Sequence, residues 1–130
     1  MNLQNGLARI FGRSGGRIGP QRAYDLQQDG ALLLDVRSPA EFQSAHAPHA
    51  RNVPLDQLAS RLRDVPTGRQ IITICQSGGR SARAAALLRG ENRDVVDVRG
   101  GMSAWQRAGL PVQRRRAGRA QAEARRPTAG

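Results

Sequence analysis

The chain has 130 residues, which gives room for one compact domain and little more. Hydrophobic residues make up 38% of it and aromatic residues only 3%, so we expect a modest core with polar ends. The formal net charge is +11, and all 21 strongly basic residues are arginine. We interpret the complete lack of lysine as compositional, of the kind that a GC-rich coding sequence produces, rather than as a property of one site.

These figures exclude several classes of protein. The longest apolar run is residues 84–88, far short of the roughly 20 apolar residues that a transmembrane helix needs. No apolar stretch opens the chain as it would in a secretory signal peptide, so we expect neither feature. Cys75 is the single cysteine, which excludes an intramolecular disulfide and any zinc site built on paired cysteines. A lone thiol is typical of a reducing compartment, and we predict a cytoplasmic location.

Residues 1–17 form a basic N-terminal segment. Its apolar side chains fall on one helical face: Leu3, Leu7, Ile10 and Phe11. That pattern is typical of an amphipathic surface helix or a transit-like leader, although Gly6 and Gly12 weaken both interpretations. We expect the segment to pack on the domain or to be disordered.

Helix and strand then alternate. The proline that opens residues 20–28 suits the first turn of a helix. Residues 31–36 are almost continuously apolar, which is typical of a strand buried on both faces. Ser38, Pro39 and Glu41 follow at once. They form a capping box with proline at the first helical position, so a short helix is predicted to begin there.

The alternation continues through the second half. Strands are predicted at 51–55, 71–74 and 95–98, and helices at 56–65, 81–89 and 102–108. The alanine-rich helix has high helix propensity and ends at Gly90. Strands that alternate with helices at short spacing predict an α/β fold with a mainly parallel sheet.

Residues 114–130 form an Arg/Ala-rich tail with six arginines and one glutamate. Such a tail can contact phosphate groups or an acidic surface. No aromatic side chain accompanies its arginines to stack on bases. We therefore predict a solvated, disordered tail and no nucleic-acid partner.

The chemistry is predicted at Cys75, which directly follows the apolar strand at 71–74. Ligands of open α/β sheets bind at this end of the strands. Two glycines follow, which let successive amides point inward, and the helix that begins there adds its partial positive charge. Arg80 adds a cation. These effects favour a thiolate, so Cys75 is predicted to be a nucleophile with a depressed pKa in a cradle for an anion. A buried structural cysteine is the alternative, whereas the absence of lysine excludes a Walker-type phosphate loop.

The segment Cys-Gln-Ser-Gly-Gly-Arg-Ser at 75–81 resembles the active-site loop of the rhodanese family of sulfurtransferases. Two more segments resemble the opening and closing signatures of that family. The opening signature is Leu-Leu-Asp-Val-Arg at 33–37, followed by Glu41-Phe42 and His46-Ala47-Pro48. The closing signature is Gly100-Gly101-Met102, followed by Trp105 and residues 109–112. The likeness covers residues 18–113. It implies a rhodanese-like domain, which is a five-stranded, mainly parallel sheet with helices on both faces.

The resemblance also implies a mechanism. Cys75 would take a sulfane sulfur from a small anionic donor such as thiosulfate, become a persulfide, and pass the sulfur to cyanide or to a thiol, which could be a protein. No metal or organic cofactor is implied. The loop would bind the anion and the persulfide through Gln76, Ser77, Gly78, Gly79, Arg80 and Ser81. Asp35, Arg37 and His46 would support the loop. The alternative for Asp35 and Arg37 is a surface ion pair that contributes a few tenths of a kcal/mol.

Loop length distinguishes sulfur from phosphate chemistry. The related phosphatases, and arsenate reductases of similar fold, hold five residues between cysteine and arginine, whereas Cys75 and Arg80 have four between them. The shorter loop suits a small pocket around sulfur. A phosphatase or arsenate reductase is therefore the weaker alternative. The main alternative is a non-catalytic or redox-sensing binding module whose basic tail docks a partner.

Two departures from the family pattern lie outside the loop. His49 stands where the family usually has glycine, and a turn with positive φ would strain a histidine there. Met102 stands where an aromatic residue is frequent. We assign it and Trp105 to the core, with the pocket mouth as the alternative. His46 and His49 are three residues apart, but no second cysteine or firm carboxylate partner accompanies them, and we predict no metal site.

Overall fold

The computed structural model describes residues 16–115. The predicted N-terminal helix or leader and nearly all of the predicted disordered tail lie outside these residues. The described elements follow in chain order: β1 (Arg17–Ile18), α1 (Pro20–Gln28), β2 (Leu32–Asp35), α2 (Pro39–Ser44), β3 (Ala45–His46), β4 (Arg51–Asn52), α3 (Leu55–Leu58), a 3-10 segment (Ala59–Asp64), β5 (Ile71–Ile74), α4 (Gly79–Gly90), β6 (Val95–Val98), α5 (Gly101–Arg107) and β7 (Gln113–Arg114).

The main sheet has five strands in the order β1-β6-β5-β2-β4, and every neighbouring pair is parallel. The predicted α/β fold with a five-stranded parallel sheet is confirmed. A second, two-stranded sheet pairs β3 with β7 antiparallel, with His46 opposite Gln113. The pairing takes in Arg17 at one end and Arg114 at the other. The folded part therefore extends beyond the predicted limits of 18–113, and Arg114 is not part of a free tail.

The three central strands β2, β5 and β6 are buried at every position. Because successive side chains of a strand point to opposite faces, each strand contributes to two cores. One core lies between the sheet and the α3–α4 side, and the other between the sheet and α1 with α5. The helices therefore cover both faces. Within residues 16–115, no helix combines the length and the apolar character needed to span a bilayer.

Local sequence signals account for most element boundaries. The capping box of α2 is present in full, with Ser38 as N-cap and Pro39 at the first helical position. α4 begins at Gly79, two residues earlier than predicted, so that Gly79 and Arg80 lie in its first turn. The strand predicted at 51–55 is wrong beyond Asn52, because the proline at position 54 has no N–H to donate and the chain turns into α3.

The helix predicted at 56–65 is also wrong over its second half. Regular α-helix ends at Leu58, and a 3-10 segment follows in which Arg61 leaves the helical region with φ −121° and ψ 30°. The hydroxyl of Ser60 donates to the carbonyl oxygen of Gln57 at 3.0 Å. It competes with the backbone for that acceptor, which is a common cause of a bend or an end in a helix.

The exposed residue His49 has φ 65°, as its place in the turn led us to expect. An L-residue in this region costs about 1–2 kcal/mol of stability, and glycine avoids that cost. Glycine also gives the unfolded chain more conformational entropy, which offsets part of the gain. We therefore expect His49→Gly to raise the free energy of unfolding by up to about 1 kcal/mol, measured by urea unfolding with Trp105 fluorescence. Asn92→Gly is the matched control at φ 63°. Its gain should be smaller because asparagine tolerates this region better. A lower stability of His49→Gly would contradict the strain argument.

Candidate active site

Cys75 occupies the position between the last residue of β5 and the loop that leads into α4. The side chain is buried, with 1% exposure. Its Sγ accepts a hydrogen bond from the backbone N–H of Gly78 at 3.1 Å. Gly78 is the N-cap residue of α4 and has φ 116°, a value that L side chains rarely adopt. Glycine at this position therefore lets the chain curl so that an amide faces the sulfur.

The surroundings of Cys75 favour the thiolate. Burial raises the pKa of the thiol, because it penalises the charged form. Hydrogen bonds from the side chain and the amide of Ser81 and from the amides of Gly78 and Ser77 act in the opposite direction and prevail. The pKa of Cys75 is therefore lowered from its ordinary value. A thiolate formed here is stabilised mainly by uncharged donors at the start of a helix.

Arg80 is engaged by a carboxylate from another element. Its guanidinium donates to both oxygens of Glu41, at 2.7 Å and 3.0 Å. The hydrogen bond from Arg80 lowers the pKa of Glu41 from 4.5 to about 2, against an opposing effect of burial. Glu41 also accepts from the N–H of Ser38 in the capping box. The cation predicted beside Cys75 is thus paired and held in place by α2.

Asp35 and Arg37 form a buried pair, so the alternative of a surface ion pair is wrong. Their exposures are 0% and 3%, and Arg37 Nη2 lies 2.8 Å from Asp35 Oδ2. Arg37 also donates to the side-chain oxygen of Gln76 at 3.2 Å and to the carbonyl oxygen of Ala45 at 2.6 Å. Gln76 in turn donates to the hydroxyl of Ser103 at 3.1 Å. These contacts join the strand that precedes Arg37 to the loop after Cys75.

His46 makes its hydrogen bond and its ring contact with Phe42. Its Nδ1 is 2.7 Å from the carbonyl oxygen of Phe42, so that nitrogen carries the proton, and its ring stacks on the Phe42 ring at 3.9 Å. These contacts fix the turn from α2 to β3. The neighbouring Ala45 accepts the hydrogen bond from Arg37, which contacts Gln76 of the loop. Among residues 16–115, no cluster of three or more histidine, cysteine or carboxylate side chains is placed to hold a metal ion.

The residues Gly100 to Ser103 close on the loop from the far side. The N–H of Met102 donates to the carbonyl oxygen of Cys75 at 2.8 Å, and the N–H of Ser103 donates to that of Gln76 at 3.0 Å. A Cβ at Gly101 would collide with the Cys75 carbonyl oxygen. Met102 itself is fully buried in the core. The close approach of the two backbones explains why glycine stands at 101.

Two functional candidates were absent from the sequence prediction. Asp97 in β6 is 1% exposed and accepts from the hydroxyl of Thr73 at 3.1 Å and from Arg17 Nε at 3.2 Å. Burial raises the pKa of Asp97, against hydrogen bonds from Thr73 and Arg17. Arg17 Nη2 also donates to the carbonyl oxygen of Gly78 at 2.9 Å. A carboxylate inside an apolar strand is a sequence signal for Asp97, whereas nothing local marks Arg17.

Comparison with known proteins decides the family. The model of the rhodanese-like domain matches residues 19–108. The chain belongs to the rhodanese-like domain family. A sulfurtransferase of Allochromatium vinosum is 38% identical over 94 residues, which are 71% of this chain and 85% of that protein. The thiosulfate sulfurtransferase GlpE of Pseudomonas syringae is 35% identical over 91 residues, 69% of this chain and 86% of that one.

Solved structures agree with the family assignment. A rhodanese-related protein from Thermoplasma volcanium has a TM-score of 0.71 and 29% identity, and the match covers 75% of this chain and 96% of that one. A thiosulfate sulfurtransferase from Pseudomonas aeruginosa has a TM-score of 0.69 and 29% identity, and the match covers 75% of this chain and 19% of that longer one. Arg17 lies before the residues that the rhodanese-like model matches, so its contact with the loop is not part of the matched pattern.

The Glu41–Arg80 pair gives this rhodanese-like domain a specific dependence on pH. The pKa of Glu41 is about 2 in the folded protein and ordinarily 4.5. The pair therefore contributes its stability above pH 4.5 and loses it as the pH falls through the folded value. We expect Glu41→Gln to lower the free energy of unfolding at pH 5 by up to about 1 kcal/mol, since the pair is partly exposed.

Urea unfolding of wild type and Glu41→Gln at several pH values between 2 and 6 measures this difference, which should shrink toward acid. Glu91→Gln at the other end of α4 is the matched control. A difference between wild type and Glu41→Gln that does not vary with pH would contradict the assignment.

Arg17 is expected to position the loop. Arg17→Ala removes the donor to the Gly78 carbonyl oxygen, whose own amide faces Cys75 Sγ. We expect the thiol pKa to rise, read from the pH dependence of alkylation. We also expect sulfur transfer to fall about two- to tenfold, the equivalent of about 0.5–1.5 kcal/mol for one hydrogen bond. Arg17→Lys should restore part of the lost rate and part of the pKa shift. The recovery should be incomplete because a single ammonium cannot reproduce the two-pronged donor geometry of a guanidinium.

Arg22→Ala is the control for Arg17→Ala, since Arg22 is exposed on α1 and has no such contact. Equal alkylation profiles for wild type and Arg17→Ala would refute the positioning role. A fall in activity without a change in the alkylation profile would assign Arg17 a merely structural role.

Proposed function

We propose that this protein is a sulfurtransferase that moves a sulfane sulfur from thiosulfate, or a related anionic donor, to a thiophilic acceptor through a persulfide on Cys75. The observation that carries the proposal is the hydrogen bond from the Gly78 amide to Cys75 Sγ at 3.1 Å. It belongs to a ring of donors that lowers the pKa of the thiol. Uncharged donors stabilise a buried thiolate and leave its negative charge without a cationic partner. Such a thiolate is a nucleophile.

In the first step the Cys75 thiolate attacks the outer sulfur of thiosulfate. A bond forms between Sγ and that sulfur, the sulfur–sulfur bond of thiosulfate breaks, and its electron pair leaves with sulfite. The product persulfide keeps one negative charge on its outer sulfur. The amides at the start of α4 and the hydroxyl of Ser81 are the donors available to stabilise that charge.

In the second step a nucleophilic acceptor attacks the outer sulfur of the persulfide. The bond between that sulfur and Sγ breaks, and its electron pair restores the thiolate of Cys75. Cyanide would leave as thiocyanate and a thiolate would leave as a persulfide. Neither step changes the total charge, and neither needs a metal or an organic cofactor.

The names of the relatives support this proposal, since those with 85% and 86% of their length matched are called sulfurtransferases. The pairing of Arg80 speaks against phosphatase chemistry. The carboxylate of Glu41 engages Nη1 and Nη2 of Arg80, so that edge of the guanidinium is not offered to a phosphate. A redox-sensing or binding role remains the alternative that the following experiment separates.

Intact-protein mass spectrometry tests the persulfide directly. Reduced wild type incubated with thiosulfate should gain about 32 Da, one sulfur atom, and cyanide should reverse the gain. Cys75→Ser should show no gain and should lose sulfur transfer essentially completely, because Cys75 is the single cysteine. If folded wild type gains no sulfur from thiosulfate or from inorganic polysulfide, the sulfurtransferase proposal fails and the redox-sensing or binding module takes its place.

A further inference from the structure

The central strand β6 carries a carboxylate among apolar side chains. Asp97 is 1% exposed, and the other three residues of the strand are valines. Taking a carboxylate out of water is costly, and an apolar side chain of similar volume in place of a buried ion pair is often neutral or stabilising. The stability of the fold therefore does not explain why an aspartate stands in this strand.

The carboxylate of Asp97 is held by β5 and itself holds β1. One oxygen accepts from the hydroxyl of Thr73 at 3.1 Å, and the other accepts from Arg17 Nε at 3.2 Å. Arg17 and Asp97 are partners in the parallel pairing of β1 with β6. The orientation of the guanidinium is therefore referred, through one carboxylate, to the buried centre of the sheet.

Arg17 carries this orientation to the Cys75 loop. Its Nη2 donates to the carbonyl oxygen of Gly78 at 2.9 Å, and the N–H of Gly78 donates to Cys75 Sγ at 3.1 Å. The Arg17 side chain is 43% exposed. Holding so long and partly exposed a side chain in one rotamer costs conformational entropy. The contact with Asp97 offsets that cost and keeps the guanidinium on the loop.

We infer that Asp97 is a positioning residue for sulfur transfer, which holds Arg17 on the Gly78 carbonyl oxygen and thereby keeps the Gly78 amide directed at Cys75 Sγ. The inference rests on the proposed sulfur transfer and adds a residue that acts on the thiol through another side chain. Because Arg17 precedes the residues 19–108 that the family model matches, this support of the loop comes partly from outside the matched domain.

Charge and geometry predict opposite results when the carboxylate is removed. A negative charge near a thiol raises its pKa, so the loss of the Asp97 charge by itself would lower the pKa of Cys75. The Gly78 amide lowers the pKa of Cys75, so a misdirected amide would raise it. A rise in the thiol pKa on removal of Asp97 therefore reports lost positioning and not a changed field.

Asp97→Val removes both acceptor oxygens and suits a strand of valines. We expect the midpoint of the pH dependence of Cys75 alkylation to rise by about half a pH unit, the equivalent of one ordinary hydrogen bond. Asp97→Asn keeps one oxygen acceptor and should shift the midpoint less. Urea unfolding followed by Trp105 fluorescence verifies that each variant folds. If Asp97→Val does not fold, Asp97→Asn takes its place in the comparisons that follow.

Combination with Arg17→Ala identifies the route. If Asp97 acts through Arg17, Asp97→Val should produce no further rise of the midpoint in the Arg17→Ala background. Single-turnover sulfur transfer should fall by a similar factor in both single variants and in the double variant, about two- to tenfold. A midpoint of Asp97→Val at or below that of wild type, or two shifts that add in the double variant, would overturn the inference.

Arg89→Met is the matched control for a general loosening of β1. Arg89 Nη2 donates to the carbonyl oxygens of Gly16 and Val95, at 3.4 Å and 3.2 Å, and so joins the same two strands at their amino ends. Methionine removes these donors and keeps most of the side-chain length. The variant should unfold at lower urea concentration and keep the wild-type alkylation midpoint. A rise equal to that of Asp97→Val would refute the positioning role.

Alkylation needs no sulfur donor, so it separates this inference from the proposed transfer. Suppose that wild type takes up no sulfur, while the midpoint rises in Asp97→Val and does not rise further with Arg17→Ala. The proposed transfer then fails, and the positioning of the thiol by Asp97 stands. If wild type forms the persulfide and Asp97→Val keeps the wild-type midpoint, the transfer stands and the inference fails.

Discussion

The site depends on the contact between two backbone segments, the turn at Gly100–Gly101 and the Cys75 loop. The N–H of Met102 donates to the carbonyl oxygen of Cys75, and glycine at 101 is the residue that permits this approach. The bond fixes the carbonyl of Cys75 toward α5. The chain then turns so that the amide of Gly78 faces Cys75 Sγ. The orientation of the loop is therefore set by main-chain atoms, and side chains adjust it.

Three ion pairs surround the loop. Asp35 with Arg37, Glu41 with Arg80, and Asp97 with Arg17 each pair a carboxylate with a guanidinium at the loop or beside it. Every one of these arginines is therefore committed to a carboxylate. The hydrogen bonds that lower the pKa of Cys75 come from neutral donors, the amides of Ser77, Gly78 and Ser81 and the Ser81 hydroxyl.

Signals that are local in sequence predicted most of the fold and the position of Cys75 between a strand and a helix. Residues 71–74 and 95–98 are short runs rich in β-branched side chains, and both are strands with the predicted bounds. The loop was predicted because strand, cysteine, glycines and helix follow one another. The pairing of Glu41 with Arg80 could not be predicted, because the two residues are 39 positions apart. Arg17 lies in a strand of two residues, which leaves no periodic pattern, and its importance comes wholly from tertiary contacts.

The short β3–β7 sheet links the C-terminal end of the described chain to the loop. β7 pairs with Ala45 and His46, and the carbonyl oxygen of Ala45 accepts a hydrogen bond from Arg37, which in turn holds Gln76. The two strands are two residues long each, and one more bond, from the N–H of Arg115 to Ser44, extends the pairing. Proteolytic trimming that removes Gln113 and Arg114 would leave the Cys75 loop intact in sequence, yet would free Ala45 from its strand partner. Loss of β7 would thus loosen the anchorage of Arg37.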